Sequence, residues 1–261
     1  MKKLFLVYSY FLYRLRATNT HGVHSPFVFN LLNDVIYNDK EYYIYNEIET
    51  LRKQLLENEN TVECIDLGAG SLNSQSRKRS IKHHALFSAK PPKYAQLIFR
   101  MVNHFQPSVI IELGTSLGIT TAYISKGNSK VKVITIEGCK EIADIARQNF
   151  KQLEINNVEP ITGNFDSELP AILTKIKNTD FVFFDGNHRK EATLNYFYQC
   201  LEKANEHSIF IFDDIYWSLE MKDAWNEIKK NKEVTVSLDL FYMGIIFFRK
   251  EQVKQDFVIR F

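Results

Sequence analysis

Val109 to Ser125 reads VIIELGTSLGITTAYIS. Its first half is a short, continuously apolar run ending in Glu112 and Leu113, and its second half opens a helix. Between them lies the turn Gly114-Thr115-Ser116-Leu117-Gly118. A strand that runs through a glycine turn straight into a helix is the opening unit of a parallel α/β sheet. Gly114 permits a tight turn and Gly118 lets the following helix close on the strand. Thr120 and Thr121 fall in the first helical turn, where hydroxyls and unpaired amides can hold a carboxylate. A dinucleotide fingerprint requires a further glycine in the middle of this turn, and Ser116 stands there instead. Glu112, just before the turn, would repel a pyrophosphate, so a cationic, phosphate-free cofactor suits the segment better.

Outward from this unit, apolar strands and helices alternate. VKVITIE (131–137), EPITG (159–163), DFVFFD (180–185) and HSIFIFDD (207–214) read as strands. Helical patterns cover Lys93–Phe105, Lys140–Leu153, Leu169–Ile176, Lys190–Lys203 and Leu219–Lys229. Strands with unbroken apolar centres are covered on both faces. VTVSLDL (234–240) and MGIIFFR (243–249) lie too close together for a helix to intervene, so they pair antiparallel. The expected fold is α/β: a Rossmann-like, doubly wound sheet of seven strands, one of them reversed, over residues 86–261. Residues 1–85 form an N-terminal helical extension or lid.

The second strand ends in Glu137, 25 residues after Glu112. A carboxylate there is placed to accept hydrogen bonds from ribose hydroxyls. NAD sites use the same device, so the combination with Glu112 and the missing glycine discriminates, not Glu137 alone. The fourth strand ends in Asp185-Gly186-Asn187-His188 and the fifth in Asp213-Asp214. In an open α/β sheet these carboxyl ends converge on one crevice.

With these residues together, the sequence resembles the class I S-adenosylmethionine-dependent methyltransferases, and within them the catechol-O-methyltransferase-like small-molecule O-methyltransferases, over residues 86–250. The resemblance implies that Gly114, Thr115, Ser116 and Gly118, with Glu112 behind them, wrap the methionine part of the cofactor. It implies that Thr120 binds the methionine carboxylate and Glu137 the ribose. Gly163-Asn164-Phe165 matches the adenine-binding turn, and Ser88 to Lys93 the strip bordering cofactor and acceptor. Asp185 matches an aspartate that serves both cofactor and metal, and Asp213 with Asp214 a metal-binding Asp-Asn pair; Mg2+ is the candidate ion. The departure to Asp at 214 adds charge. His188 stands where those relatives carry a lysine base, and imidazole titrates closest to neutral pH. Asp185 and His188 are thus the catalytic candidates, and O-methylation of a small organic molecule is the implied activity.

Other readings compete. A basic run, Arg77-Lys78-Arg79 with Lys82, His83 and His84, allows an RNA or protein acceptor, although short charge runs are more often solvated faces. An NAD-dependent or non-catalytic Rossmann-like protein is the reading from other classes. The acid and glycines of Cys64-Ile65-Asp66-Leu67-Gly68-Ala69-Gly70 imitate a cofactor turn, but no apolar helix follows, and a loop or lid fits better. His21 and His24 precede Pro26 and read as loop histidines. Tyr216 and Trp217 stand either in a pocket wall or in the packing under the next helix.

A net charge of +2 provides no global attraction to nucleic acid or anionic membranes. Cys64, Cys139 and Cys200 are scattered and odd in number, which argues against a disulfide framework or zinc site and for a reducing, cytoplasmic setting. The N-terminal MKKLFLVYSYFLYRLR is too short to span a bilayer. It reads as an amphipathic helix packed on the domain or on a second subunit of a homodimer, with a membrane-surface anchor as the alternative.

Overall fold

The structure is a computed structural model that describes residues 2–63 and 78–261. The decoy turn at 64–70 and the start of the basic run at Arg77 lie outside the described residues. In chain order the elements are helices α1 (Lys2–Arg16), α2 (Pro26–Leu31) and α3 (Tyr43–Leu56), then strands β1 (Thr61–Glu63) and β2 (Lys78–Ser80). Next come α4 (Ile81–Phe87), α5 (Pro92–Phe105), β3 (Val109–Leu113), α6 (Ile119–Gly127), β4 (Lys132–Glu137), α7 (Lys140–Gln152) and β5 (Val158–Thr162). The chain closes with α8 (Phe165–Lys175), β6 (Phe181–Phe184), α9 (Lys190–Leu201), β7 (Ile209–Asp213), α10 (Leu219–Lys230), β8 (Val236–Asp239), β9 (Met243–Phe247) and β10 (Gln255–Val258). They form two compact units, Asp39–Ala171 and Met1–Asn38 with Ile172–Phe261.

In the first unit β3, β4 and β5 run parallel, with Ile111 opposite Ile134 and Glu137 opposite Thr162. Crossover helices between them are what parallel pairing demands. Helix α5 buries Ala95, Ile98, Phe99 and Val102 and stops at Gln106, whose left-handed φ of 49° lets its N–H reach back to Val102. Phe99 and Ala122 join Ile44, Ile48 and Leu51 of α3 and Ile142 and Phe150 of α7 in one apolar cluster. Two short antiparallel strands, β1 and β2, were not legible as strands in the sequence.

In the second unit β6 and β7 are parallel, and every residue of both is buried. Phe184 and Phe212 stack at 4.4 Å. Strand β9 is the reversed one, antiparallel to β7 and to β8. The expected seven strands become eight, because β10 adds itself parallel to β8. Its sequence, QDFV, opens with two polar residues and is only partly buried, so it lacks the apolar run that marks the others. Gly244 of β9 is needed for packing. A Cβ there would stand 2.7 Å from the ring of Trp225, which is itself buried.

Helix α1 packs a narrow stripe on this unit. Tyr13 and Ala17 cluster with Phe241, and the Tyr13 hydroxyl donates to the carbonyl of Ile259 and accepts from the Phe261 N–H. Packing on the domain is therefore observed for one face only. Among the described residues no helix is long and apolar enough to cross a membrane. One cysteine expectation needs correcting: Cys139 is disulfide-bonded, while Cys200 is a buried free thiol. Spacing along a chain says nothing about which sulfurs the fold brings together.

Replacing Gly244 with Ala should destabilise the protein by about 1–3 kcal/mol through overpacking. Thermal unfolding checks it, at about 2–4 °C of Tm for each kcal/mol in a chain of this size. An unchanged Tm would mean that Trp225 has room to move.

Candidate functional site

The turn after β3 is built from unusual backbone. Gly114 and Gly118 have φ of 111° and 78°, and Ser116 between them sits at 48°. The N–H groups of Gly114 and Thr115 both donate to the carbonyl of Ile136, which binds the turn to β4. A side chain at Gly118 would meet Phe150 at 2.5 Å, so α6 and α7 approach as closely as only glycine allows. Asn149 of α7 donates from Nδ2 to the carbonyl of Leu117 at 2.8 Å.

Two carboxylates organise this turn from different sides. Glu137, at the end of β4, accepts from the Ser116 N–H at 2.8 Å through Oε2 and from the Cys139 N–H at 2.9 Å through Oε1. It remains partly accessible. Glu112 is wholly buried. Its Oε2 accepts from Thr121 Oγ1 at 2.5 Å and Thr135 Oγ1 at 2.7 Å. Thr135 is also within 2.6 Å of the Thr115 hydroxyl. Burial pushes the Glu112 carboxyl up to about 7; the two threonine hydroxyls pull it back, and the negative charge of Glu137 adds to the rise. Thr121 thus spends its hydroxyl inward, whereas Thr120 is buried in the same first helical turn with no such bond to Glu112.

Thr135, Asn149 and Phe150 were not singled out in the sequence. A lone threonine in the apolar run VKVITIE was the available signal for the first, because a buried hydroxyl needs a partner. Asn164 is exposed and its Oδ1 accepts from the Asp166 N–H, so it starts α8 at Phe165, four residues before the expected Leu169. Gly163, just before it, donates its N–H to the carbonyl of Glu137.

In the other unit the ends of β6 and β7 bring together Asp185, His188 and Asp213. One ligand atom from each lies within 4.8 Å of the other two. The His188 Nε2 to Asp185 Oδ1 distance is 3.9 Å, too long for a direct hydrogen bond. Asp213 is buried and the other two are half-buried. Two carboxylates and an imidazole at this spacing suit a divalent cation. Asp214 is not in this group. It turns the chain at φ 52°, and its N–H donates to the Tyr242 carbonyl. Asn187, at φ 49°, donates to the Tyr196 hydroxyl and so fixes the loop that carries His188. Tyr216 packs inward, stacked on Phe241 at 5.0 Å and donating to Asp239 at 2.7 Å. That is the packing alternative for Tyr216. His21 and His24 are exposed around a short turn, as a loop pair should be. Within the basic run, Lys82 is paired with Glu59 at 2.6 Å.

Residues 111–215 match a family model described as a methyltransferase domain. The O-methyltransferase imqG of Aspergillus flavus is 25% identical over 111 residues. That match covers 40% of this chain and 44% of the relative, so less than half the length of this curated relative is spanned. Among solved structures, an O-methyltransferase from Bacillus cereus in complex with SAH superposes with a TM-score of 0.58 at 18% identity, over 80% of this chain and 92% of that one. TomG from Streptomyces achromogenes, in complex with SAM, gives 0.54 at 16% identity, over 62% and 82%. The fold is the Rossmann-like α/β fold that these solved structures share, as the sequence resemblance implied, and the matched segment runs from β3 to just past β7.

Glu112 has a testable consequence. Its folded-state pKa is raised, so the native state binds the extra proton between about 4.5 and about 7. The stability this contributes is fully present below the lower value and is lost as pH rises through the upper one. The wild type should therefore lose stability over that window in urea titrations, and Glu112→Gln should flatten the loss. An identical slope in the variant would place the pH dependence elsewhere.

Proposed function

We propose that the chain transfers a methyl group from S-adenosylmethionine to an oxygen of a small organic molecule. One observation carries this reading: the Glu137 carboxylate is hydrogen-bonded to the Ser116 amide inside the turn. In a dinucleotide site that amide position faces the pyrophosphate. Here it is committed to a negative charge, with Glu112 buried behind it. A pyrophosphate would be repelled and a sulfonium cation attracted. The match of residues 111–215 to a methyltransferase domain and the O-methyltransferases among its relatives support the same reading.

In this proposal the backbone from Gly114 to Gly118, with Thr115 and Ser116, holds the methionine part, and Thr120 its carboxylate. Glu137 accepts from the ribose hydroxyls and the turn Gly163-Asn164-Phe165 borders the adenine. Bound cofactor supplies an electrophilic methyl group. His188 takes the proton from the acceptor hydroxyl, with the Asp185 carboxylate 3.9 Å from its Nε2 to favour the charged imidazole. Asp185 and Asp213, with Asp214 as a further ligand, would hold Mg2+ or a similar ion and leave His188 as the base; the charge of such an ion would lower the pKa of a hydroxyl. Residues 86–261 are the transferring domain and residues 1–85 its extension.

The protein is incubated with S-adenosylmethionine and a panel of phenolic, catecholic and aliphatic hydroxy compounds, and the demethylated cofactor and methylated product are quantified by mass spectrometry. An O-methylated product is expected, with kcat lowered about 10²–10⁴-fold in His188→Ala, the usual range for a general base, and KM for the cofactor little changed. Methylation confined to RNA or protein would exclude the small-molecule reading. Full activity in the His188 variant would remove it as the base.

A further inference from the structure

Helix α1 has a second face that the proposed chemistry does not use. Toward the body it buries Ser9 and Tyr13. On the opposite side Leu4, Val7, Tyr8, Phe11 and Leu15 fall at the three- and four-residue spacing that makes one stripe. They are 80, 70, 61, 59 and 68% exposed. The stripe is widened by Tyr10, edge-on to Phe241 at 4.9 Å, and by Tyr242, edge-on to the same ring at 4.8 Å. An apolar patch of this extent marks a surface that meets something.

Charge identifies the occupant. Residues 2–16 contain Lys2, Lys3, Arg14 and Arg16 and no acidic residue. Arg14 is exposed beside the stripe, Arg16 is exposed in the last turn of the helix within electrostatic reach of Tyr216, and Lys222 of α10 stands 5.8 Å over the ring of Phe5. A second copy docked through this face would bring like charges together. Whichever way two such helices ran, each would bring a segment that carries only basic charge against another of the same kind. The helix itself offers no acid to compensate. An anionic lipid surface offers negative charge along the whole helix and an apolar layer beneath it. The helix is also the right object to lie in that layer. Its 15 residues extend about 22 Å, too short to cross, and tyrosines at its margin suit the headgroup level.

We infer that α1 docks this protein on an anionic membrane surface, with Leu4, Val7, Tyr8, Phe11 and Leu15 entering the lipid and Arg14 and Arg16 meeting its headgroups. This inference stands on the helix alone and does not depend on the methyl-transfer reading. Co-sedimentation of the full chain with vesicles tests it, using pure phosphatidylcholine against phosphatidylcholine with about a third phosphatidylserine. Binding is expected to the anionic vesicles and not to the neutral ones, and to weaken with salt. Arg14→Gln with Arg16→Gln should weaken it roughly thirtyfold, about fivefold for each charge. Phe11→Glu should abolish it while leaving the thermal unfolding curve in place, because the side chain faces away from the packed stripe. Three results would overturn the inference. They are absence of binding to anionic vesicles, equal binding to neutral ones, and a vesicle-indifferent dimer in light scattering that Phe11→Glu converts to monomer.

Discussion

The turn after the first parallel strand is held from beneath by one buried acid. Glu112 joins three elements at a single oxygen: its own strand β3, the first turn of α6 through Thr121, and β4 through Thr135. Burying a carboxyl is costly unless it is protonated or fully hydrogen-bonded, and the rise of this group to about 7 is the sign of that cost. In return the strand end, helix start and neighbouring strand are fixed relative to one another. The left-handed geometry at Gly114, Ser116 and Gly118 follows from that constraint together with the glycine contact on Phe150. Glu137 then closes the turn from the accessible side. It binds the Ser116 amide and turns what would be a phosphate cradle into an acidic one.

The second unit meets a different requirement. Its strands β6 and β7 are buried throughout, so their polar residues appear only at the ends. There Asp185, His188 and Asp213 lie close enough for one ion to reach all three. The rigid, phenylalanine-rich core behind them matters for this, because converging side chains act together only when their backbones are held. Asn187 in the left-handed region, bonded to Tyr196, completes the support for the loop.

Much of this was legible in the sequence, for a physical reason. Strands buried on both faces must be continuously apolar, so SVIIEL, VKVITIE, DFVFFD and HSIFIFDD announced themselves, and their terminal acids with them. β10 was not legible because an edge strand needs no apolar run. The inward role of Glu112 and Thr121 was also hidden. A sequence shows that an acid precedes a turn and a threonine follows it, but not that they face one another across nine residues. The roles of Thr135 and Asn149 are hidden for the same reason: their value lies in long-range partners. The disulfide at Cys139 shows the limit of counting cysteines. The N-terminal helix was seen as amphipathic, while the sequence could not say that its wider apolar side would point away from the body.

The central claim is that the turn from Gly114 to Gly118, closed by Glu137, is a site for a sulfonium cofactor and not for a dinucleotide. Isothermal titration of the purified protein with S-adenosylmethionine, with its demethylated product and with NADH tests it most directly. One saturable site for each of the first two is expected, with none for NADH. Glu137→Ala should weaken both by about tenfold or more, as losing hydrogen bonds to a charged group would. Binding of NADH in preference, or no binding of either sulfur compound, would contradict the account.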